Sequence, residues 1–577
     1  MPHLRSLYPD PLPVPDYLNI YETIIGQPQH DEWPDYIVHI DEETGQSRTF
    51  KDLRKRINDL ASVLGGPVAQ GGLGLKAEDG DVVGIMSDNS SDYMVLVIAL
   101  LKIAVPFTLI SCYSTPFELK HALGIAKVKR LFTASHYIPK ALPVVEEVGI
   151  PRAAVYTMDF QIKAHESLDG FIKKANITNI PHSGARIVPK DTLAFLFFSS
   201  GTTGLPKAVK ISHGNLLFAY RQAAVLQQHR LAVMKPPTPS TPDGLPVILA
   251  FLPMHHTFGL HLYCIRGFMV PTRFVIFRKW NVAQVLKAVP IYKATQLSMV
   301  PSMWYQVVNH PDFEKTDFNS VLGVHSGAAH LPKEIAAKVL RYTPNNTFFS
   351  DGYGMSETTV SAIVRPLPGT LNGRLKDVPN TLGVLLPGME ARIVREDGSE
   401  ADFDEVGELW LKGGNIVSGY FDDIQATKTT FVDGWLRTGD QFRIDRGHYF
   451  SFADRAKDTL KVSGSQVSPV EIEEVLRAHP QKLVSDVTVA GVAGSGRTVD
   501  EKVPRAWIVL SGNGKKVGAA EVVQELERWH QANLSKYKWL RGGIEVIEEI
   551  PKSPTGKTLR RILQDEYERR AKSKSKL

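Results

Sequence analysis

Cysteine is nearly absent from this chain: 577 residues include two, Cys112 and Cys264. That excludes a disulfide framework and makes a reducing compartment the expectation. A large charge of one sign is missing too. Lys and Arg number 67 against 61 Asp and Glu, a net +6, too dilute over this length to point to nucleic acid as a partner. Long apolar runs are lacking. The longest candidate, Met94 to Ile110, is broken by Lys102 and Pro106 and falls short of the ~20 residues that cross a bilayer, so no membrane span is expected. The N-terminus never builds a signal-peptide core, and no repeat of fixed period occurs.

What is present is a globular chain, 43% apolar and 22% charged, which excludes wholesale disorder. At this length about three quarters of the unfolded surface can be buried without metals or disulfides. Short apolar runs rich in β-formers alternate with helical patterns. Val82–Met86, Tyr93–Lys102 and Val105–Ile110 form one such series; Leu193–Phe198, Val247–Phe251, Arg273–Phe277 and the helix Val282–Val289 continue it. That alternation predicts α/β layers with mostly parallel sheets. Lys235 to Pro246, crowded with proline, predicts a surface loop. After Val406 the texture turns to short strands, a β-rich subdomain. From Pro469 a small α+β unit is expected, with helices at Val470–Ala478 and Ala519–Ala532 and strands near Val484–Val492 and Ala506–Leu510. The boundary is placed near Asp454, giving a large domain over 1–454 and a small one over 455–577.

The most chemical stretch follows the strand Leu193–Phe198. In Ser199-Ser200-Gly201-Thr202-Thr203-Gly204-Leu205-Pro206-Lys207, four hydroxyls, two glycines and a lysine occupy nine residues. Glycines let backbone N–H groups turn toward a ligand, hydroxyls donate to phosphate oxygens, and lysine adds a point charge. A polyphosphate site is the expectation. The P-loop NTPase pattern is excluded because two residues separate Gly204 from Lys207 and Ala208–Ser212 alternates like a strand. Gly556-Lys557-Thr558 fails the same pattern, with Pro551 where its first glycine belongs.

This loop resembles that of the adenylate-forming superfamily, which includes acyl- and aryl-CoA ligases, firefly luciferase and peptide-synthetase adenylation domains. Further motifs follow in the family's order between about Arg48 and Arg561. His325-Ser326-Gly327-Ala328-Ala329-His330 resembles the stretch lining adenine and the acyl pocket. Asp351-Gly352-Tyr353-Gly354-Met355-Ser356-Glu357 resembles the one whose aromatic stacks on adenine, whose hydroxyl meets the α-phosphate and whose glutamate holds magnesium. Asp440, in Trp435–Asp440, matches the aspartate that accepts both ribose hydroxyls, a task suited to an acceptor-only carboxylate. Asp454 to Pro469 resembles the hinge and the start of a mobile lid domain: Arg455 would face the ribose, Lys457 would be the pivot, and Lys461 and Gly464 would serve the pantetheine arm. Pro551–Lys557 resembles the loop whose Lys557 reaches the α-phosphate during adenylation.

Three histidines and a cysteine cluster between Met254 and Cys264, but their spacing matches no zinc pattern. The resemblance puts His256 beside the acid's carboxylate and leaves His255 and His261 structural. It implies a pocket lined by His256, Phe258, Met299, Val300, Pro301, His325, Gly327, Gly352 and Met355, suited to a hydrophobic acid. The motifs look most like those of 4-coumarate-CoA-ligase-type enzymes, taking aryl or medium-chain acids. The implied reaction consumes ATP with Mg²⁺ and coenzyme A; luciferase-like oxygenation, carrier-protein loading and a catalytically inert member of the fold stay open. Finally, Ser575-Lys576-Leu577 is a peroxisomal import address, approached by a basic stretch from Arg569 that reads as flexible; the expectation is the peroxisomal matrix and an import receptor as partner.

Overall fold

A computed structural model describes residues 4–162, 164–178, 180–199, 205–327, 331, 333–455, 460–462, 465–494, 502–551 and 558–574. The chain divides into two compact units. One comprises Met1–Cys112, Leu123–Phe198 and Ala208–Asp454; the other comprises Tyr113–Ala122, Ser199–Lys207 and Arg455–Leu577.

The first unit is built on two largely parallel sheets and an antiparallel one. A seven-stranded sheet runs in the order Phe348–Ser350, Gly323–Ser326, Gln296–Met299, Val247–Ala250, Arg273–Ile276, Ile37–Asp41 and Ser47–Thr49. Its pairings are parallel except for the last, which is antiparallel. A six-stranded sheet places Val83–Met86 between Phe107–Leu109 and Arg130–Thr133, with Leu193–Ser199 beyond Phe107–Leu109. The central strands Val83–Met86, Phe107–Leu109 and Val247–Ala250 are buried along their whole length, as strands of a parallel sheet covered on both faces are.

The suspected span Met94–Ile110 resolves into a helix, Ser91–Lys102, and the strand Phe107–Leu109. Ser90 caps the helix by accepting from the Tyr93 N–H at 3.0 Å, and Tyr93 through Leu101 are all buried. A helix apolar on every face belongs inside a core. No described helix is long and apolar enough to cross a membrane. The residues after Val406 form the antiparallel sheet, with Met389–Val394, Gly407–Gly413 and Trp435–Ile444 at its centre. Residues 235–239 and 244–246 are irregular, as the prolines predict. Cys112 and Cys264 are free and buried.

The second unit holds the helices Pro469–Arg477 and Ala519–Asn533 and a three-stranded sheet, Val484–Ala493, Lys502–Leu510 and Ile544–Val546. One expectation fails here. The basic approach to the C-terminus is not flexible over its first part: Arg560–Lys574 is a helix. Leu563 is buried against Ala490, Val492, Val503 and Trp507, with Tyr567 packed on the same cluster. Gln564 Nε2 donates to the Gly491 carbonyl at 2.6 Å. Those apolar side chains, four apart, make a stripe one residue wide, easily lost among the surrounding charges. Ser575, Lys576 and Leu577 lie outside the described residues.

Candidate functional site

Consecutive strands of the seven-stranded sheet deliver the expected residues to one edge. Because the strands are parallel and in register, Met299 pairs with Ser326 and His325 with Ser350. Their carboxyl ends therefore release Val300–Pro301, Gly327 and Asp351–Tyr353 side by side. Val247–Ala250 releases the segment bearing His256 and Phe258 at the same end. In open α/β sheets this edge is where ligands bind. Phe258 and Gly327 face each other closely: a Cβ on Gly327 would lie 3.2 Å from the Phe258 ring. His256 caps the short helix Thr257–Leu260, and burial, followed by the neighbouring His256 charge, lowers His255 to about 3. Pro301 starts the helix Pro301–Val308, where a missing N–H is harmless.

The segment Asp351–Thr359 is held with little freedom. Asp351 takes a bidentate pair from Arg365, 2.6 and 3.2 Å. Gly352 and Tyr353 pair with Val364 and Ile363. Gly354 tolerates no side chain, since a Cβ there would sit 1.9 Å from the Val360 carbonyl oxygen. The Thr358 hydroxyl closes the turn against the Met355 N–H and carbonyl. Thr359 is fully buried with φ +65°, a costly conformation for a β-branched residue. Its hydroxyl donates to the Asn415 carbonyl at 2.6 Å, and its own carbonyl accepts from Thr257 at 2.7 Å. Asn415 also donates to the carbonyls of Thr358 and Ser361.

Two buried carboxylates flank this segment. Asp440 accepts from the Tyr353 hydroxyl at 2.7 Å. It lies in a β-bulge: Glu408 pairs with Gln441 but Trp410 with Arg437, leaving Thr438, Gly439 and Asp440 opposite a single residue. Gly439, at φ +71°, makes the bulge possible. Glu408 pins it by accepting from the Gly439 N–H at 3.0 Å and pairing with Arg437. Glu357 is 4% exposed and accepts from the Tyr420 hydroxyl at 2.9 Å. Burial, then the Glu357 charge, pushes the Tyr420 phenol above its ordinary pKa, so it stays a donor. The backbone beside Tyr420 joins the strand that follows the hydroxyl-rich loop: Val209 bridges Tyr420, and the Phe421 N–H donates to the Ala208 carbonyl at 2.7 Å.

The structure thus brings together Tyr353 with Asp440, and Phe258 with Gly327, and it aligns Met299, His325 and Gly352 along one edge. Ser199 ends its strand, its hydroxyl buried without a partner among the described residues, and Lys207 begins the strand Lys207–Ser212. Arg455 ends the strand Phe450–Arg455 and Lys461 lies within Leu460–Val462. Ser200, Gly201, Thr202, Thr203, Gly204, Ala328, Ala329, Lys457, Gly464 and Lys557 lie outside the described residues. Sequence reasoning missed Tyr420, Asn415, Thr359 and Glu408. No local pattern marks them, because each acts through a partner at least 29 residues away, up to 102 for Thr359 and Thr257.

Parallel sheets that release the segment Asp351–Thr359 at their carboxyl edge, with two buried carboxylates against it, define an α/β fold of the ligand-binding class. Comparison with known proteins makes this specific. The AMP-binding enzyme family matches residues 27–421, and the AMP-binding enzyme C-terminal domain matches 471–557. The chain is 31% identical to probable 4-coumarate–CoA ligase 3 of Dictyostelium discoideum, over 85% of this chain and 86% of that one. It is 30% identical to luciferin 4-monooxygenase of Nipponoluciola cruciata, over 84% of each. The amide bond synthetase McbA of Marinactinospora thermotolerans shares the fold, with TM-score 0.76 and 21% identity across 95% and 99% of the two chains. The chain belongs to the AMP-binding enzymes, the adenylate-forming superfamily.

Proposed function

We propose that the protein is an AMP-forming acyl-CoA ligase that activates a hydrophobic aryl or medium-chain carboxylic acid and transfers it to coenzyme A. The observation that carries this is the pair of buried carboxylates at the two ends of Tyr353–Glu357, each oriented by a tyrosine hydroxyl. Asp440, an acceptor only, suits two ribose hydroxyls, with Tyr353 against adenine beside Gly327, Ala328, Ala329, Gly352 and Gly354. Ser356, Lys207 and the hydroxyls and amides of Ser199–Gly204 suit the phosphates. Magnesium arriving with ATP fits Glu357: Tyr420 occupies one carboxylate oxygen, and a hard cation needs few protein ligands beside phosphates and water. When bound, such a cation offsets charge on the phosphate oxygens.

In the first step the acid's carboxylate oxygen, beside His256, bonds to the α-phosphorus as the bond to pyrophosphate breaks. Lys557 stabilises the negative charge that develops, the effect on which phosphoryl transfer mainly depends. In the second step the lid pivots at Lys457, Arg455 stays by the ribose, and Lys461 and Gly464 admit the pantetheine arm. The thiolate bonds to the acyl carbon and AMP leaves. Two half-reactions served by one moving domain account for two lysines, Lys461 and Lys557, with separate tasks. The relatives named as CoA ligases support this reading, and the luciferin 4-monooxygenases make oxygenation the rival outcome. For location we propose the peroxisomal matrix, reached through Ser575-Lys576-Leu577 and its import receptor.

The test is a panel of aryl and medium-chain acids with ATP, magnesium and coenzyme A, following pyrophosphate, AMP and thioester. Stoichiometric thioester without oxygen uptake supports the ligase; oxygen consumption or light without thioester contradicts it.

A further inference from the structure

Two half-buried arginines of the first unit have no carboxylate partner among the described residues. Arg266 follows the turn His261–Ile265. Its Nη2–H donates to the Ala219 carbonyl at 3.2 Å, while its Nε is buried and unpartnered. Arg230, in the helix His213–Val233, lays its guanidinium over the Phe348 ring, 4.6 Å from the centroid. Among the described residues neither makes an ion pair.

The two charges are close enough to disfavour each other. Burial first, and then the Arg230 charge, brings Arg266 down to about 10. The groups around them offer no compensation. His261 has both ring nitrogens buried without a partner among the described residues, and burial followed by the Arg266 charge keeps it neutral. His325, 5.9 Å from Phe348 between ring centroids, is lowered to about 4 by burial and then by Arg230. Tyr8 is raised to about 12, chiefly by burial, and is no counter-charge either. Two like charges held half-buried side by side, with no counter-charge among the described residues, make a setting that favours an anion arriving from outside.

The place of this cluster identifies the anion. His325 lies near the end of one strand of the site edge, Gly327 just beyond it faces Phe258, and Phe258 lies in the short helix, capped by His256, that leads into His261 and Arg266. Arg230 therefore adjoins His325, a residue expected in the acid pocket, and Arg266 adjoins Arg230, both on elements other than those bearing Asp440 and Glu357. We propose that Arg230 and Arg266, with His261 as a hydrogen-bonding neighbour, form an anion subsite in that pocket, so that the acid activated carries a second, distal carboxylate on an apolar body. This rests on the adenylation reading above.

The experiment pairs octanoate with octanedioate, and 3-phenylpropanoate with its para-carboxy derivative, and measures acid-dependent pyrophosphate release. Wild type should favour each diacid by at least about tenfold in kcat/KM. Arg266→Met and Arg230→Met should raise the diacid KM by about tenfold or more, leave the monoacids unchanged or improved, and not lower Tm, since an unpaired charge is removed. Preference for monoacids in wild type, unaltered by either substitution, would overturn the subsite. Equal loss of both acids with a lower Tm would assign the arginines to structure and overturn it as well. Should no acid release pyrophosphate, octanedioate alone is the remaining probe. A rise in Tm in wild type but not in Arg266→Met would keep the subsite while the ligase reading falls; no rise would remove both.

Discussion

The Tyr420 hydroxyl donates to the Glu357 carboxylate across 2.9 Å, with both side chains buried. Tyr420 also bridges Val209 on the strand after the hydroxyl-rich loop. One residue thus ties the carboxylate proposed for magnesium to the strand that anchors the proposed phosphate loop.

Tyr420→Phe keeps the ring contact with Phe431 and removes only the donor. A hydrogen bond to a charged group contributes about 1.5–3 kcal/mol, so adenylation should slow by about tenfold or more with little change in the KM for the acid. Stopped-flow pyrophosphate release and a melting curve check this. An unchanged rate would remove Tyr420 from the chemistry.

Asp440→Asn should raise the KM for ATP and erase discrimination between ATP and 2′-deoxy-ATP, because the acceptor-only group is replaced by one that also donates. Tyr353→Phe should do so more weakly. Undiminished preference for ATP in Asp440→Asn would place the ribose elsewhere.

Gly354→Ala should cost stability outright, about 3 kcal/mol or more, since a Cβ 1.9 Å from a buried carbonyl forces the turn apart. Thermal unfolding reads it directly. A wild-type Tm would mean that the turn is looser than its hydrogen bonds imply.

Much of the fold was legible in the sequence because the parallel strands are continuous apolar runs, such as Val247–Ala250, and their helices carry clear periods. The helix Arg560–Lys574 was not, since only Leu563 and Tyr567 face the core. At the site, the legible residues are those whose chemistry is local, a loop of hydroxyls and glycines or a carboxylate after Gly-Met-Ser. Thr359 and Asn415 were illegible because their role is to hold a strained turn from a distant segment. The closeness of Arg230 and Arg266 was illegible too, because it joins residues on separate elements 36 positions apart.

Acid should destabilise the protein well above the carboxylate range. His39, His213, His255 and His325 are lowered to between about 3 and about 4, all chiefly by burial. The His213 Nδ1 accepts from the Ile20 N–H, which requires the neutral ring. Below pH ~6.5 the unfolded chain takes up protons that the folded chain refuses. Stability should therefore fall as pH drops from about 6.5 toward 4, by up to about 1.4 kcal/mol per pH unit for each such histidine. A Tm flat across that interval would contradict the burial of these rings.

Lys557→Ala should lose adenylation by about 10²-fold or more yet still convert supplied acyl-adenylate to thioester; Lys461→Ala should show the reverse, less severely. Equal loss of both half-reactions in both variants would dismiss the pivoting lid.

The most direct measurement is acid-dependent exchange of labelled pyrophosphate into ATP without coenzyme A, as a function of magnesium, for wild type and Glu357→Gln. Exchange isolates the first half-reaction and needs no knowledge of the thiol acceptor. Wild type should exchange only when an acid is supplied. Glu357→Gln should fold normally, exchange far more slowly at low magnesium, and recover in part as magnesium rises, because weaker binding is offset by mass action. No exchange by wild type with any acid, or a wild-type rate for Glu357→Gln at every magnesium concentration, would contradict the account.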